Sequence, residues 1–315
     1  MEAGTMNRRA FLTAAGALPL ATSMPLPLTA AEAKTCGLAI GTYGLQSLSL
    51  DDSIDLVAET GYDAIEITTF AGFTGDPKSL DAAKRRDLKN RASDHGLRIC
   101  ALMADLHPSA DDAKHAEQSE QLMQLFALAH DLAESPPLVQ TVLGGKSWEG
   151  EKNLFRDRLA GWMQIAADQR GTLSIKPHRG HAMSRPEDAI WLFEQLGKPR
   201  RVRMVYDFSH YAFRESAMTI ADTVESSLPW TNYVAVKDAV EVDGKVRFAL
   251  AGESGNQDHA EIVRAFHAGG YHGDFCCEVS SQIWKSDPSY DAVAATKTCY
   301  RNLSAAFEKA GVARG

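Results

Sequence analysis

Four short apolar runs in the second half of the chain end in residues that can hold charge or move protons: TLSIKPHRGH (172–181), VYDFSH (205–210), NYVAVKDA (232–239) and FCCEVSS (275–281). Their ends carry Lys176, His178, Asp207, His210, Lys237, Asp238 and Glu278. Carboxylates beside imidazoles are groups that take a proton from carbon and return it, and ammonium groups stabilise the oxyanion such a step creates. A carboxylate closing an apolar run is costly unless it is paired or metal-bound, so Asp207 and Glu278 read as site residues; the alternative is that each anchors a loop. Alternation along a strand puts Lys176 with His178 on one face, Ala235 with Lys237, and Cys276 with Glu278 and Ser280. On that register Cys276 lies one layer beneath Glu278. Asp207 and His210 are three residues apart, so the backbone has to turn between them for both to face one pocket.

Other polar residues fall at equivalent places. Glu66, in the run DAIEITT, and His107, after RICALMA, occupy positions where an isolated Glu or His orients a loop as readily as it touches a substrate. Arg179 and His181 extend the rim beyond His178. The turn Gly252-Glu253-Ser254-Gly255 brings Glu253 toward the same end, although loop geometry alone explains its glycines. Lys146 and Trp148, in a Gly-rich loop, are candidates for a pocket lining.

Such residues need a scaffold that delivers several strand ends to one rim. From Cys36 onward, strand-like and helix-like patterns alternate eight times. The strand runs are CGLAIGTYG, DAIEITT, RICALMA, LVQTVLG, TLSIKPH, RVRMVYDF, NYVAVKD and DFCCEVS, mostly continuous apolar stretches of the kind found in a parallel sheet covered on both faces. Amphipathic stretches fill the intervals, among them 112–132, and a last one runs over 291–310. Ser49 and Gly61 bracket the first helix; Ser184 and Pro186 open the fifth and Gly197 closes it. Eight strand–helix units over about 275 residues predict a single (β/α)8 TIM barrel spanning 34–315. An open doubly wound sheet is the competing arrangement, but no GxGxxG follows the first strand, and charged residues recur at strand C-terminal ends, where barrel sites lie.

The four polar segments resemble the sugar phosphate isomerase/epimerase family of xylose isomerase-like TIM barrels, which carry Glu-Pro-His, Asp-x-x-His, His-x-Lys-Asp and a last-strand Glu at these places. The resemblance implies a carbohydrate-like or keto substrate at the barrel mouth, proton abstraction next to a carbonyl, and one divalent metal held by the Glu, the Asp, a motif His and the last Glu. Here Lys176 stands for the first Glu and Ala235 for the His before Lys237, which weakens that metal site. Either the Lys176 ammonium substitutes for the metal's charge between Asp207 and Glu278, or a metal shifts onto His178, Asp207, His210 and Glu278. A Lys Schiff base is a third route, and it needs a neutral amine that neighbouring carboxylates oppose. On the metal-free route Glu278 or Asp207 accepts the proton, His210 and His178 assist, and Lys176 or Lys237 stabilises the enolate. Isomerisation, epimerisation and β-elimination of a keto-glycoside all start this way, and a non-catalytic sugar-binding barrel is the alternative outside enzymology.

The chain has 33 basic and 41 acidic residues, a net charge of −8, and no basic block beyond its extreme N-terminus, which argues against nucleic acid as a ligand. Its five cysteines, Cys36, Cys100, Cys276, Cys277 and Cys299, are scattered without CxxC spacing and read as packed thiols. The first 33 residues contain Arg8-Arg9, a short Pro-interrupted apolar stretch and Ala31-Glu32-Ala33, the pattern of a twin-arginine export signal. That stretch is too short to remain as a membrane span, so the expected mature enzyme is periplasmic or otherwise exported. Arg8→Lys together with Arg9→Lys preserves charge and removes the pair. The double variant is expected to accumulate as cytoplasmic precursor on cell fractionation; undiminished export would show the pair to be incidental.

Overall fold

The apolar runs become the staves of a closed parallel barrel in the computed structural model, which describes residues 35–214 and 216–315. The twin-arginine segment lies outside the described residues. In chain order the strands are β1 (Gly37–Gly41), β2 (Ala64–Thr68), β3 (Arg98–Met103), β4 (Leu138–Thr141), β5 (Leu173–Ile175), β6 (Val202–Tyr206), β7 (Thr231–Val236), β8 (Asp238–Val242), β9 (Lys245–Ala249) and β10 (Asp274–Cys277). The barrel order is β1-β10-β7-β6-β5-β4-β3-β2, closed by parallel pairing of Gly37 with Asp274; β8 and β9 form a separate antiparallel hairpin.

Helices cross over between the strands: α1 (Leu50–Thr60), α2 (Ala82–Asp94), α3 (Asp112–Leu132), α4 (Trp148–Asp168), α5 (Pro186–Gln195), α6 (Ile220–Ser227), α7 (His259–Ala268), a one-turn α8 (Ser281–Trp284) and α9 (Ala292–Ala310). The (β/α)8 TIM barrel expected from the alternation is therefore the fold. Ser49 caps α1 through its side chain, and Gly61 ends it at φ 100°, where L residues are strained. Pro186 opens the fifth helix as expected, but Arg185 rather than Ser184 is the N-cap residue, and the Asp188 carboxylate accepts from the N–H groups of Ser184 and Arg185. An acidic residue at the third helical position reaches back to these donors, the half of a capping box that does not depend on a capping Ser.

Strand alternation divides the core. Ala39, Ala64, Ala101, Val205, Tyr233, Ala235 and Cys276 fill the barrel interior, small residues packing around the Tyr233 ring. Leu38, Ile40, Ile65 and Ile67 alternate with them and belong to the larger cluster that also holds Val57, Phe126, Leu159, Trp162 and Leu192 from the helices. Cys276 does lie a layer below Glu278, and all five cysteines are free thiols. Among the described residues no helix is long and apolar enough to cross a membrane.

The hairpin was not expected from the alternation, yet its turn was visible. Asp243-Gly244 joins β8 to β9 with φ of 50° and 69°, the positive pair that a two-residue Asp-Gly hairpin turn requires. The loop expected around Lys146 and Trp148 is shorter than it looked, because Trp148 opens α4 and packs edge-on against Trp191 at 5.6 Å.

Two glycines test the packing. A Cβ at Gly171, just before β5, would stand 2.2 Å from the buried Phe126 ring, whereas Gly161 in the middle of α4 faces open space. Gly171→Ala is expected to destabilise the protein by about 1–3 kcal/mol, and Gly161→Ala to stabilise it by about 0.5–1 kcal/mol, both measured by urea denaturation.

Candidate active site

Four strands deliver four charges to one point at the C-terminal end of the barrel. Lys176 follows β5, Asp207 follows β6, Lys237 follows β7 and Glu278 follows β10, all nearly or wholly buried. Lys176 Nζ is bonded to Glu278 Oε2 and lies 3.9 Å from Asp207 Oδ2. Lys237 Nζ is bonded to Asp207 Oδ2 and lies 3.0 Å from Glu278 Oε1. Each ammonium thus touches both carboxylates.

The turn required between Asp207 and His210 exists as a 3-10 turn over Phe208–His210, pinned by Asp207 accepting from the Ser209 N–H and hydroxyl. His210 is fully buried. The Arg179 backbone N–H donates to its Nδ1 at 3.3 Å, which leaves Nε2 to carry the proton toward Asp207 Oδ2, also at 3.3 Å. Phe248, brought in by β9, covers this half of the quartet, its ring centre 5.0 Å from Lys237 Nζ and 5.1 Å from the His210 ring.

Burial and pairing set the protonation states. Burial alone would raise the Glu278 carboxyl, but Lys176 and Lys237 outweigh it and hold it at about 2. Burial likewise opposes ionisation of Asp207, and Lys237 and His210 hold it well below the usual range. Burial would lower Lys176; the carboxylates of Glu278 and Asp207 overcome that and raise it, against a neutral Schiff-base amine. Burial and the nearby His210 and lysine cations push His178 far down, and burial with Lys237 lowers His210 to about 4. Both imidazoles are neutral at pH 7.

A cavity of about 250 Å³ opens above the Lys176–Glu278 side. Lys176, His178, His181, His107 and Glu278 line it, joined by Tyr43 and Gln140. His178 Nδ1 is buried with no hydrogen-bond partner among the described residues, so it can serve a substrate oxygen. The His178 ring lies tilted against His210 and edge-on to His181, with centroids at 4.0 and 4.6 Å. Tyr43, Phe70, Phe73 and Trp284 form an aromatic wall on the same side, Tyr43 lying 5.6 Å from Phe70 and 5.5 Å from Trp284.

Other sequence candidates are placed elsewhere. Asp238 is buried but faces the 252–259 loop, accepting from Gly252 N–H, from Ser254 and from His259. Glu253 accepts from the Leu250 N–H just before that loop. The Arg179 guanidinium bonds the Ala212 carbonyl. Glu66 sits beneath the cavity floor, where Gln140 Nε2 donates to it, and burial, opposed by Lys176, raises its carboxyl to about 7. Gln140 and Tyr43 escaped the reading of strand ends; the polar pair Gln140-Thr141 inside the apolar run LVQTVLG was the available signal for the first.

A closed barrel with a polar constellation at its C-terminal rim defines a TIM-barrel protein of the enzyme type. The chain belongs to the xylose isomerase-like TIM barrel family, whose pattern matches residues 54–299. Among solved structures it is similar to L-ribulose 3-epimerase (TM-score 0.67, 21% identity, 88% of this chain and 97% of that one). It is also similar to the IOLI protein with a binding zinc atom (0.70, 19%, 87% and 98%) and to 3-keto-D-glucoside 4-epimerase from E. coli (0.64, 13%, 86% and 99%). At these identities the likeness is one of fold. No curated protein matches the chain at the sequence level.

The residues present do not fit the family's divalent metal. The Lys176 ammonium occupies the position of a ligand and is bonded to Glu278, both carboxylates are already paired with lysines, and Ala235 offers only a methyl group. Among the described residues no group of three or more His, Cys, Asp and Glu side chains is arranged to hold a metal ion.

Glu66 yields a stability test. Its carboxyl titrates at 4.5 when unperturbed and at about 7 in the fold, so the folded state binds the proton more tightly. Stability from this group is complete below pH 4.5 and is lost as pH rises through about 7. Glu66→Gln removes that loss, and urea denaturation at pH 8 is expected to find the variant about 1–3 kcal/mol more stable relative to wild type than at pH 4.

Proposed function

We propose that this protein is a sugar isomerase or epimerase-like enzyme that moves a proton next to the carbonyl of a keto-sugar, with the Lys176 ammonium in place of a metal. The observation that carries the proposal is the quartet itself: a carboxylate and an ammonium, already in contact, open together onto a cavity that also holds neutral imidazoles. Glu278 is the carboxylate of the quartet that lines the cavity, so it is the base; Asp207, fully buried, positions Lys237 and His210.

The step balances without a co-reactant. A substrate carbonyl oxygen takes the place of Glu278 as hydrogen-bond acceptor for Lys176, and the carboxylate, relieved of one cation, becomes a stronger base. Glu278 removes the proton on the adjacent carbon, the C–H electron pair forms the C=C bond, and the carbonyl π pair moves to oxygen. Lys176 holds that enediolate charge, and His178 exchanges a hydrogen bond with a neighbouring hydroxyl. Protonation of the other face by water, whose hydroxide takes the proton from Glu278, gives an epimer; return of the proton to the neighbouring carbon, after proton transfer between the oxygens, gives an isomer. The twin-arginine pattern supports an exported enzyme, which favours sugars and glycosides from outside the cell over sugar phosphates.

The experiment is solvent exchange. Purified protein in D2O with ketohexoses and 3-keto-glucosides is expected to place deuterium beside the carbonyl, equally with and without chelator, as read by NMR. Glu278→Gln is expected to lower the rate by roughly 10²–10⁴-fold. Exchange abolished by chelator and restored by a divalent cation would overturn the lysine mechanism; no exchange with any keto-sugar would overturn the reaction.

A further inference from the structure

A second cavity, of about 290 Å³, abuts the one at the barrel mouth, and Phe70, Ala104 and Asp105 line both. A group attached to a ligand in the inner cavity can therefore extend along this shared wall toward the outer one. Together the two volumes fall within the range of small-ligand sites, about 300–1,000 Å³, whereas the inner one alone falls short of it.

The outer cavity has a distinctive chemistry. Gln118, Gln121 and Gln124 enter it from α3, at spacings of three residues that keep them on one side of the helix. Gln118 Oε1 accepts the His107 backbone N–H at 2.8 Å while its Nε2 donates to Gln121 Oε1 at 3.3 Å. The first amide is thereby oriented by a residue of the inner cavity, and the Gln121 nitrogen is the next donor outward. A carboxamide offers a donor and an acceptor side by side, matching the adjacent hydroxyls of a sugar ring. Lys78 is the only cation among the lining residues and shares the cavity with Asp76 and Asp105, so a phosphate or other anion finds no net positive field. Phe70, packed edge-on against Tyr43 and Phe73 at 5.6 and 5.2 Å, continues the aromatic wall from one cavity to the other and supplies an apolar surface for the C–H side of a ring.

We infer that the outer cavity is a second sugar subsite and that the substrate is a glycoside of at least two units. The reacting keto ring occupies the inner cavity and the attached sugar ring occupies the outer one. This rests on the proposed function only for the identity of the reacting ring, and binding tests it apart from catalysis.

Titration calorimetry in chelator compares methyl glucoside with the glucosyl disaccharides maltose, cellobiose and trehalose. At least one disaccharide is expected to bind roughly tenfold more tightly than methyl glucoside, about 1.4 kcal/mol. In Gln121→Ala combined with Gln124→Ala, two exposed helix positions, that ratio is expected to fall to about one. Circular dichroism melting verifies that the variant is folded, and Gln124→Glu, which keeps an acceptor, is expected to retain part of the advantage. No disaccharide advantage in the wild type, or an advantage that survives the double substitution, would overturn the subsite. Disaccharide preference without deuterium exchange would leave the subsite standing and remove the proposed reaction; exchange into a simple ketohexose without disaccharide preference would do the reverse.

Discussion

Two ammonium groups and two carboxylates share one buried point at the top of this barrel, and the site is arranged around their mutual neutralisation. Each ion alone would lose several kcal/mol on leaving water, and the interior returns that only when every charge meets its opposite with hydrogen-bonding geometry. Lys176 and Lys237 each reach both Glu278 and Asp207, so no charge depends on a single partner. The ions come from four strands, β5, β6, β7 and β10, which tie one wall of the barrel together at its rim. The same field fixes the neutral state of His178 and His210, since a further positive charge beside two lysines is opposed by both repulsion and burial.

The quartet is asymmetric in its access to solvent, and that asymmetry separates chemistry from support. Lys176 and Glu278 line the cavity together with His178 and Gln140. Lys237 and Asp207 lie behind them, sealed by the Phe248 ring and held by Ser209 and His210. A pair that can exchange partners with a ligand is thus backed by one that cannot. The hairpin bearing Phe248 is anchored to the same place, because Asp238 at its start binds the 252–259 loop through four donors on three residues.

Strand ends were legible because alternation and apolar runs are local properties. Lys176, Asp207, Lys237 and Glu278 could be placed on one rim from the positions where four buried strands stop, and the turn after Asp207 followed from spacing. The aromatic wall was not legible: Tyr43, Phe70, Phe73 and Trp284 come from three separate connections and share no periodicity. Asp238 looked like a substrate ligand because it follows Lys237, yet one step along a strand reverses the face, and its carboxylate went to the loop. Glu66 was read at the rim and lies beneath the floor, a difference of depth that one strand's sequence cannot express.

The paired lysines also bear on which substrates such a site can turn over. Lys176 brings the single positive charge that a Glu and a divalent cation together would bring, and Lys237 belongs to the pattern either way, so the electrostatic sum near Asp207 and Glu278 is kept. The two arrangements differ in what they offer a ligand. A metal has open coordination positions and polarises an oxygen as a Lewis acid, whereas an ammonium offers directional hydrogen bonds and a charge spread over its protons. Stabilisation of an enediolate by hydrogen bonds is the weaker of the two, and a base held near a pKa of about 2 in the free protein has to gain strength as the ligand arrives. Both constraints favour a carbon acid already activated by an adjacent ketone over a simple aldose hydroxyl carbon. Loss of the metal alone would have left the carboxylates with Lys237 as their one cation; the exchange of a Glu for Lys176 is electrostatically self-consistent because it removes one negative charge and adds one positive charge at the same point.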